Sequence, residues 1–324
     1  MIKLEQDIHQ GHLINQMYQA HDWIVRTHNN LIAIGCIQTQ DTGQYVNSSS
    51  SDNTYSGTPI GYRVYELNDA YSAVTPVYFR LDFQIMSGSS GAAYRFGRLT
   101  VTVGFSTDGA GNITNSNITK ILKGFATNSS GAPVFNPNAR TISVKGDEFF
   151  FHGNELVAGF QAQYNIYDCG LFIILRSKLN GVVQPNTVTL IYPLPNASFL
   201  NSASLRYTRL TKGSGVSSEN LNLFRLPRIR NNQGLLVASE ADISESALLE
   251  TTDRLISFRA TSDDTPWVFH KLSVDDLTEK TYLHIPMSPT TSSATPASFE
   301  KLSICALTDA AEIGVGAIGI LVDE

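Results

Sequence analysis

Cysteine is scarce in this chain of 324 residues, and its three copies lie far apart in the sequence, at Cys36, Cys169 and Cys305. An odd number of cysteines without a C-x-x-C pair supplies neither a disulfide framework nor a zinc signature. Each cysteine lies in an apolar run, which favours buried free thiols in a reducing compartment. We therefore expect no metal site and no cofactor in this protein.

Charge is the second shortage. Charged residues make up 16% of the chain, against roughly 25% in typical soluble proteins. Ser, Thr, Asn and Gly take their place, and these residues suit turns and exposed strand faces. The formal net charge of -6 disfavours nucleic acid as the main partner, because phosphate backbones bind basic surfaces.

Long apolar runs are missing too, so we expect no membrane partner. The first residues, Met1 to Asp7, lack the apolar core of a signal peptide. Synthesis and folding in the cytoplasm are therefore expected.

One stretch, from Glu5 to Leu31, carries a helical pattern. Its repeating positions alternate between spacings of four and three residues, as in a heptad repeat. These positions are Leu13, Met17, Ala20, Ile24, Thr27 and Leu31. The repeat is short, so the helix either packs on its own domain or forms a coiled coil with another copy. In the second case Leu13, Met17 and Ile24 are interface residues.

From Ile32 onward, short apolar or alternating runs separated by polar turns predict a mainly β fold. We expect antiparallel sandwich or barrel units, jelly-roll-like, behind the N-terminal helix. The run from Val77 to Ile85 alternates strictly, which predicts one face in the core and one facing solvent or a neighbouring subunit. Strands are predicted at 31–37, 61–65, 77–86, 98–105, 148–151, 171–175, 188–192, 205–210, 221–226, 235–238, 255–260, 267–272, 282–286, 298–307 and 313–322.

This pattern divides the chain into a helical arm (1–31), a first β domain (32–210) and a second β domain (211–324). The boundary is placed at Thr211 to Asn220, which has the composition of a linker. Loops at 46–57 and 107–119 are rich in small polar residues, and we expect them to contact other subunits. A short helix is predicted at Ala241 to Thr251, with Asp242 as its cap.

Three motifs that suggest chemistry have simpler interpretations. Gly314 to Gly319 matches G-x-G-x-x-G, but no helix or acidic residue follows as dinucleotide binding requires, so we expect a glycine-containing strand. Four histidines lie in the predicted helix without sharing one face, which favours interface or exposed positions over a metal site. They are His9, His12, His21 and His28. Their protonation would weaken assembly near pH 6.

The third motif is a set of adjacent acidic residues: Asp147-Glu148, Asp263-Asp264 and Asp275-Asp276. Glycoside hydrolysis needs paired carboxylates that share a cleft, whereas neighbours in a strand point to opposite faces. No G-x-S-x-G elbow and no P-loop accompany them. We therefore expect that the protein is not an enzyme.

A basic run from Leu223 to Arg230 contains Arg225, Arg228 and Arg230. It either binds an anionic partner or forms an edge strand on which Pro227 and the arginines block unwanted pairing, and the edge strand is favoured. The three arginines complete the candidate interface. Several aromatic residues could stack on sugars, although such residues lie more often in the core or at an interface. They include Tyr62, Tyr65, Tyr71, Tyr78, Tyr94 and Trp267.

Two segments resemble structural proteins of tailed-bacteriophage virions. One runs from Pro76 to Thr114 and includes the D-G-A-G-N turn at Asp108 to Asn112; the other runs from Phe172 to Val182. The resemblance covers about residues 62–190. It implies a virion location, assembly into a symmetric homo-oligomeric part of the tail, baseplate, neck or capsid, and contacts with copies of itself and other virion proteins. The alternative function is a β-sandwich module that binds a host glycan or receptor.

Overall fold

A computed structural model describes residues 2–10, 17–46, 59–87, 95–123, 138–154, 169–179, 182–193, 205–214, 216–221, 228–230, 236–245, 248–259, 269–275, 278–286 and 316–323. In these ranges the chain forms one helix, α1 (Met17–Ala33), and 19 strands. Strands β1 to β7 span Lys3–Gln10, Ile37–Gln38, Tyr45–Val46, Pro59–Glu66, Tyr78–Ser87, Arg95–Thr107 and Ile113–Lys123. Strands β8 to β13 span Asn138–Lys145, Phe149–Asn154, Cys169–Leu179, Val182–Pro193, Leu205–Thr211 and Val216–Leu221. Strands β14 to β19 span Arg228–Arg230, Leu236–Glu245, Leu248–Arg259, Phe269–Asp275, Thr278–Pro286 and Gly316–Asp323.

These strands form three antiparallel sheets, which confirms the mainly β fold. The first sheet has the order β2-β4-β5-β6-β7, with β3 also pairing with β4. The second sheet has the order β1-β8-β9-β10-β11-β12-β13, and the third has the order β14-β15-β16-β19-β18-β17. From β4 to β7 in the first sheet and from β8 to β13 in the second, neighbouring strands are consecutive in the chain. These runs of strands are antiparallel meanders within the predicted sandwich architecture.

The first and second sheets share one apolar core, as in a sandwich. Phe79 of β5 lies 5.1 Å, between ring centroids, from Phe150 of β9 and 6.3 Å from Phe172 of β10. All three rings are fully buried. Burial of each contributes about 1.5–3 kcal/mol relative to exposure, so this aromatic contact is a major attachment between the two sheets.

Strand β10 is buried on both faces. Phe172 and Ile174 belong to the core shared with the first sheet, and the alternate residues Ile173 and Leu175 are buried as well. Strand β16 of the third sheet lies close to β10. This burial explains why the sequence is continuously apolar here rather than alternating.

Helix α1 packs on its own chain through the predicted heptad stripe. Ile24, Thr27, Leu31 and Ile34 are all buried, and the helix lies against β1, β2 and β8. Gly35 ends the helix with a φ of 90°, and the Cys36 amide donates to the Leu31 carbonyl at 2.9 Å. A glycine in this left-handed conformation is a common helix terminator. For residues 24–34 the structure therefore favours packing within the domain over a coiled coil.

Several predicted elements need correction. Residues 3–10 form β1, paired along its length with β8, so the helix does not begin at Glu5. The strand predicted at 31–37 is instead the end of α1, the turn at Gly35 and the start of β2. The loop predicted at 107–119 is a turn followed by β7, which pairs with β6. The helix predicted at 241–251 is wrong: residues 241–245 belong to β15 and residues 248–251 to β16, and these two strands pair with each other.

The predicted linker at 211–220 is also different in the structure. It belongs to the hairpin of β12 and β13, where Leu210 pairs with Val216 and Leu205 pairs with Leu221. The strands of the third sheet all lie at or after Arg228. Along the chain, β13 of the second sheet ends at Leu221 and β14 of the third sheet begins at Arg228.

The glycine motif near the C-terminus lies partly in a strand, as expected. Residues 316–323 form β19, which pairs with β16 on one side and β18 on the other. Gly319 stands opposite Ile256 and His284 in these pairings. Gly314 lies outside the described residues.

Candidate interaction surfaces

The predicted interface residues are scattered through the structure. Ile24 is 1% exposed and packs in the core of its own chain. Met17 begins α1, and Arg228 and Arg230 lie on β14, at the edge of the third sheet. For Arg228 and Arg230 this edge position agrees with the predicted edge strand. Leu13 and Arg225 lie outside the described residues.

A set of connecting segments at one end of the sandwich forms a surface that the sequence did not indicate. We call it the loop end: residues 67–77 between β4 and β5, residues 182–187 of β11, and residues 211–214 with 216 around the β12–β13 turn. The Thr75 hydroxyl donates to the Asn186 side-chain oxygen at 2.8 Å. The Lys212 amide donates to the Asn186 carbonyl at 2.8 Å. These bonds hold the three segments together.

A buried ion pair anchors the loop end to β10. Arg176 Nε lies 2.6 Å from Asp69 Oδ2, and neither side chain is exposed to solvent. The guanidinium also donates to the carbonyls of Thr75 and Pro185, each at 2.8 Å. The Asp69 carboxylate in turn accepts bonds from the Tyr71 amide and the Ser72 hydroxyl. Because both charges are fully hydrogen-bonded, this pair satisfies the condition under which a buried ion pair is tolerated.

Valine side chains project from this anchored surface. Val74 is 75% exposed, Val182 64% and Val216 48%. Asp69 is buried in the ion pair, so Lys212 is the one exposed charged residue among the loop-end residues that the structure describes. The loop end thus exposes three valines and carries little charge.

The outer face of the first sheet is a second distinct surface. Strand pairing places Tyr45, Tyr62, Asp82 and Thr100 in one row across β3, β4, β5 and β6. Arg80, Thr102 and Thr119 form the next row. Tyr45 is 43% exposed. The polar residues of β5 therefore face outward, as the alternation predicted.

Tyr62 is held in place from several sides. The Arg80 Cζ atom lies 3.7 Å from the centroid of its ring, and the Tyr45 ring meets it edge-on, with centroids 5.6 Å apart. Gly43 and Gly111 both have positive φ, and a β-carbon on either would come within 2.8 Å of Tyr62. Glycine is required at both positions, since a side chain would be strained and would displace the ring.

Two buried ionisable groups lie where α1 meets the sheets. Lys145 of β8 donates to the Asn68 carbonyl at 2.7 Å and to the Gly35 carbonyl at 3.4 Å, which places a cation at the C-terminal end of the helix. Burial is the main cause that lowers the pKa of Lys145. Burial also raises the pKa of the Cys36 thiol to about 12, so this cysteine is not a nucleophile at neutral pH.

Histidine has structural roles where the structure describes its side chain. His28 Nδ1 lies 3.1 Å from the Tyr65 hydroxyl, which joins α1 to β4. His152 is fully buried, lies 2.9 Å from the Ser143 hydroxyl and contacts Phe172. Burial lowers the pKa of His152 to about 3. The side chains of His9, His12 and His21 lie outside the described part.

Of the three acidic pairs, Asp147-Glu148 is the one that lies wholly in the described ranges. Asp147 is exposed, and the Glu148 carboxylate pairs with Lys178 on β10. Asp263, Asp264 and Asp276 lie outside the described residues. Within the described ranges, no three His, Cys, Asp or Glu side chains gather as metal ligands would. No helix among the described residues has the length and apolarity to cross a bilayer.

No protein-family model matches the chain, and no curated protein matches its sequence.

Proposed function

We propose that this chain is a structural protein of a tailed-bacteriophage particle. It forms a symmetric homo-oligomeric part of the tail, baseplate, neck or capsid, contacts other virion proteins, and catalyses no reaction. The mainly β sandwich and the resemblance of residues 62–190 to virion proteins support this function. The observation that carries it is the loop end.

The loop end has the properties of a subunit interface. The centre of a protein interface is depleted in charge and enriched in apolar side chains, and the loop end exposes three valines beside one lysine. Its segments are already fixed by hydrogen bonds and by the Arg176–Asp69 pair. Association therefore requires little further ordering of the chain, which reduces the entropic cost of binding.

Analytical ultracentrifugation across concentration and ionic strength tests the assembly. We expect a defined oligomer with closed symmetry, and we expect Val74→Asp to weaken it at least tenfold because the new carboxylate would be desolvated at the contact. Val25→Asp is the matched control, since Val25 is an exposed valine on α1. A wild-type chain that stays monomeric under all these conditions would contradict the proposal.

Peptide mass spectrometry of purified phage particles tests the virion location directly. The proposal predicts peptides of this chain in the particle at a copy number set by the symmetry of the oligomer. Infected cells that contain the chain while their purified particles lack it would exclude a virion role.

A further inference from the structure

Positive charge is concentrated in one stretch of this acidic chain. From residue 83 to residue 146 the sequence contains six basic residues and a single acidic one, Asp108. The basic residues are Arg95, Arg98, Lys120, Lys123, Arg140 and Lys145. The chain as a whole has a formal net charge of -6. A local charge opposite in sign to that of the whole chain indicates a surface for an anionic partner.

Strand pairing brings two of these basic residues together. Arg98 of β6 lies directly opposite Lys123 of β7, and β7 ends the strand order of the first sheet. Like charges that stand opposite each other on neighbouring strands repel and weaken the pairing. An anion bound between these two positions removes the repulsion, and arginine binds a carboxylate or a phosphate through two parallel hydrogen bonds.

The acidic residues of these strands are engaged elsewhere. Within β5, β6, β7 and the segments that join them, the sequence contains two acidic residues, Asp82 and Asp108. The Asp82 carboxylate accepts hydrogen bonds from Arg80 Nε and Nη2, at 2.9 and 2.6 Å, so these two charges balance each other. Asp108 follows the opposite end of β6. Arg98 and Lys123 therefore give their end of the sheet a surplus of positive charge.

An exposed aromatic ring lies in the next row of the same face. Thr100 is two residues along β6 from Arg98 and so shares its face. Strand pairing continues the row of Thr100 through Asp82 and Tyr62 to Tyr45, over roughly 15 Å. Tyr45 is 43% exposed, and its ring meets Tyr62 edge-on. This distance is that of a short oligosaccharide, and the C–H face of a sugar ring packs on an aromatic ring.

We propose that this face binds an acidic saccharide. Its carboxylate or phosphate group lies between Arg98 and Lys123, and a neighbouring sugar ring packs on Tyr45. The positive charge selects an anionic ligand over a neutral one, while the aromatic ring selects a sugar over an inorganic anion. Gln84, which pairs with Arg98, is seven residues along the chain from Val77 of the loop end, or roughly 20 Å in a strand. The saccharide site and the subunit contact are therefore separate.

Isothermal titration calorimetry with two matched pairs of ligands tests this site. Trigalacturonic acid carries carboxylates, and its methyl ester is the neutral counterpart. Phosphorylated maltotriose and maltotriose form the second pair, which distinguishes a phosphate from a carboxylate. At least one charged ligand is expected to bind roughly tenfold or more tightly than its neutral counterpart. Added NaCl should weaken this binding, because salt screens exposed charges.

Variants of the basic pair test its role. Arg98→Gln and Lys123→Gln should each weaken binding of the charged saccharide by roughly tenfold or more, and Arg98→Lys should retain part of the affinity. Tyr45→Ala should weaken binding as well, while Tyr45→Phe keeps most of it. Lys3→Gln is the matched control, since Lys3 is an exposed lysine on β1 of the second sheet. Thermal melting shows whether each variant remains folded.

Four results would overturn the inference: no binding of either charged saccharide at millimolar concentration, equal binding of charged and neutral ligands, undiminished binding by folded Arg98→Gln and Lys123→Gln variants, or tighter binding of a single-stranded oligonucleotide. The saccharide site and the subunit contact fail independently. In ultracentrifugation the Arg98 and Lys123 variants should assemble as the wild type does, whereas Val74→Asp should weaken assembly and leave saccharide binding unchanged.

Discussion

Replacing Arg176 with methionine tests whether the buried ion pair holds the loop end to the sandwich. Arg176→Met keeps much of the side-chain volume and removes the charge. It leaves the Asp69 carboxylate buried with bonds only from the Tyr71 amide and the Ser72 hydroxyl. The carbonyls of Thr75 and Pro185 lose their donor as well.

The expected loss of stability follows from this burial. Removing one partner of a buried pair costs about 3–5 kcal/mol, because the other charge is left uncompensated. The whole folding free energy of a domain is about 5–15 kcal/mol, so the variant should unfold at a much lower urea concentration. Circular dichroism at increasing urea gives the free energy of unfolding.

Lys178→Met is the matched control on the same strand. Lys178 pairs with Glu148, and both side chains are partly exposed, so its loss should cost no more than about 1 kcal/mol. Adding Asp69→Asn to Arg176→Met should recover part of the stability, since no buried charge then remains. Equal free energies of unfolding for Arg176→Met and Lys178→Met would refute the reasoning.

Three further predictions concern buried or half-buried side chains. In the unfolded state His152 binds a proton below about pH 6.5, whereas in the folded state its pKa is about 3. The free energy of unfolding therefore decreases as the pH falls from 6.5 towards 3. At pH 5 the decrease is about 2 kcal/mol. His152→Gln should flatten the dependence of the urea midpoint on pH, and an unchanged slope would show that other groups cause it. Gln44 accepts a hydrogen bond from the Val64 amide and donates one to the Thr39 carbonyl, both at 2.9 Å. Gln44→Ala should therefore lower the free energy of unfolding by about 1–3 kcal/mol. The control Gln38→Ala removes one hydrogen bond to Gln44 and should cost less in the same urea titration. Cys36 should react with iodoacetamide only after unfolding, and mass spectrometry that finds its peptide alkylated in the native protein would contradict this burial.

The sequence predicted strands well where one face of a strand meets the core and the other meets solvent. Strand β5 is the clearest example, because Phe79, Leu81 and Phe83 are buried and the alternate residues are polar. Strand β1 was mistaken for helix because the predicted helix was begun at Glu5, ahead of the first stripe position at Leu13, whereas pairing with β8 decides the conformation of these residues. Strand β7 was mistaken for loop because Asn and Ser dominate its first half, although Ile113 and Ile118 are buried.

The candidate surfaces were harder to predict because distant segments build them. Arg176 and Asp69 are 107 residues apart, and no sequence pattern pairs them. Tyr45 follows a loop and belongs to a strand of two residues, which no periodic pattern can reveal. The D-G-A-G-N turn was the one available signal, and its glycines do lie against Tyr62.

An electron-microscopy reconstruction of the purified protein tests the central claim, that the loop end binds neighbouring copies. We expect a closed symmetric assembly in which Val74, Val182 and Val216 of each copy are covered by another subunit. An oligomer whose loop ends all face solvent, or single copies with no defined contact, would contradict it.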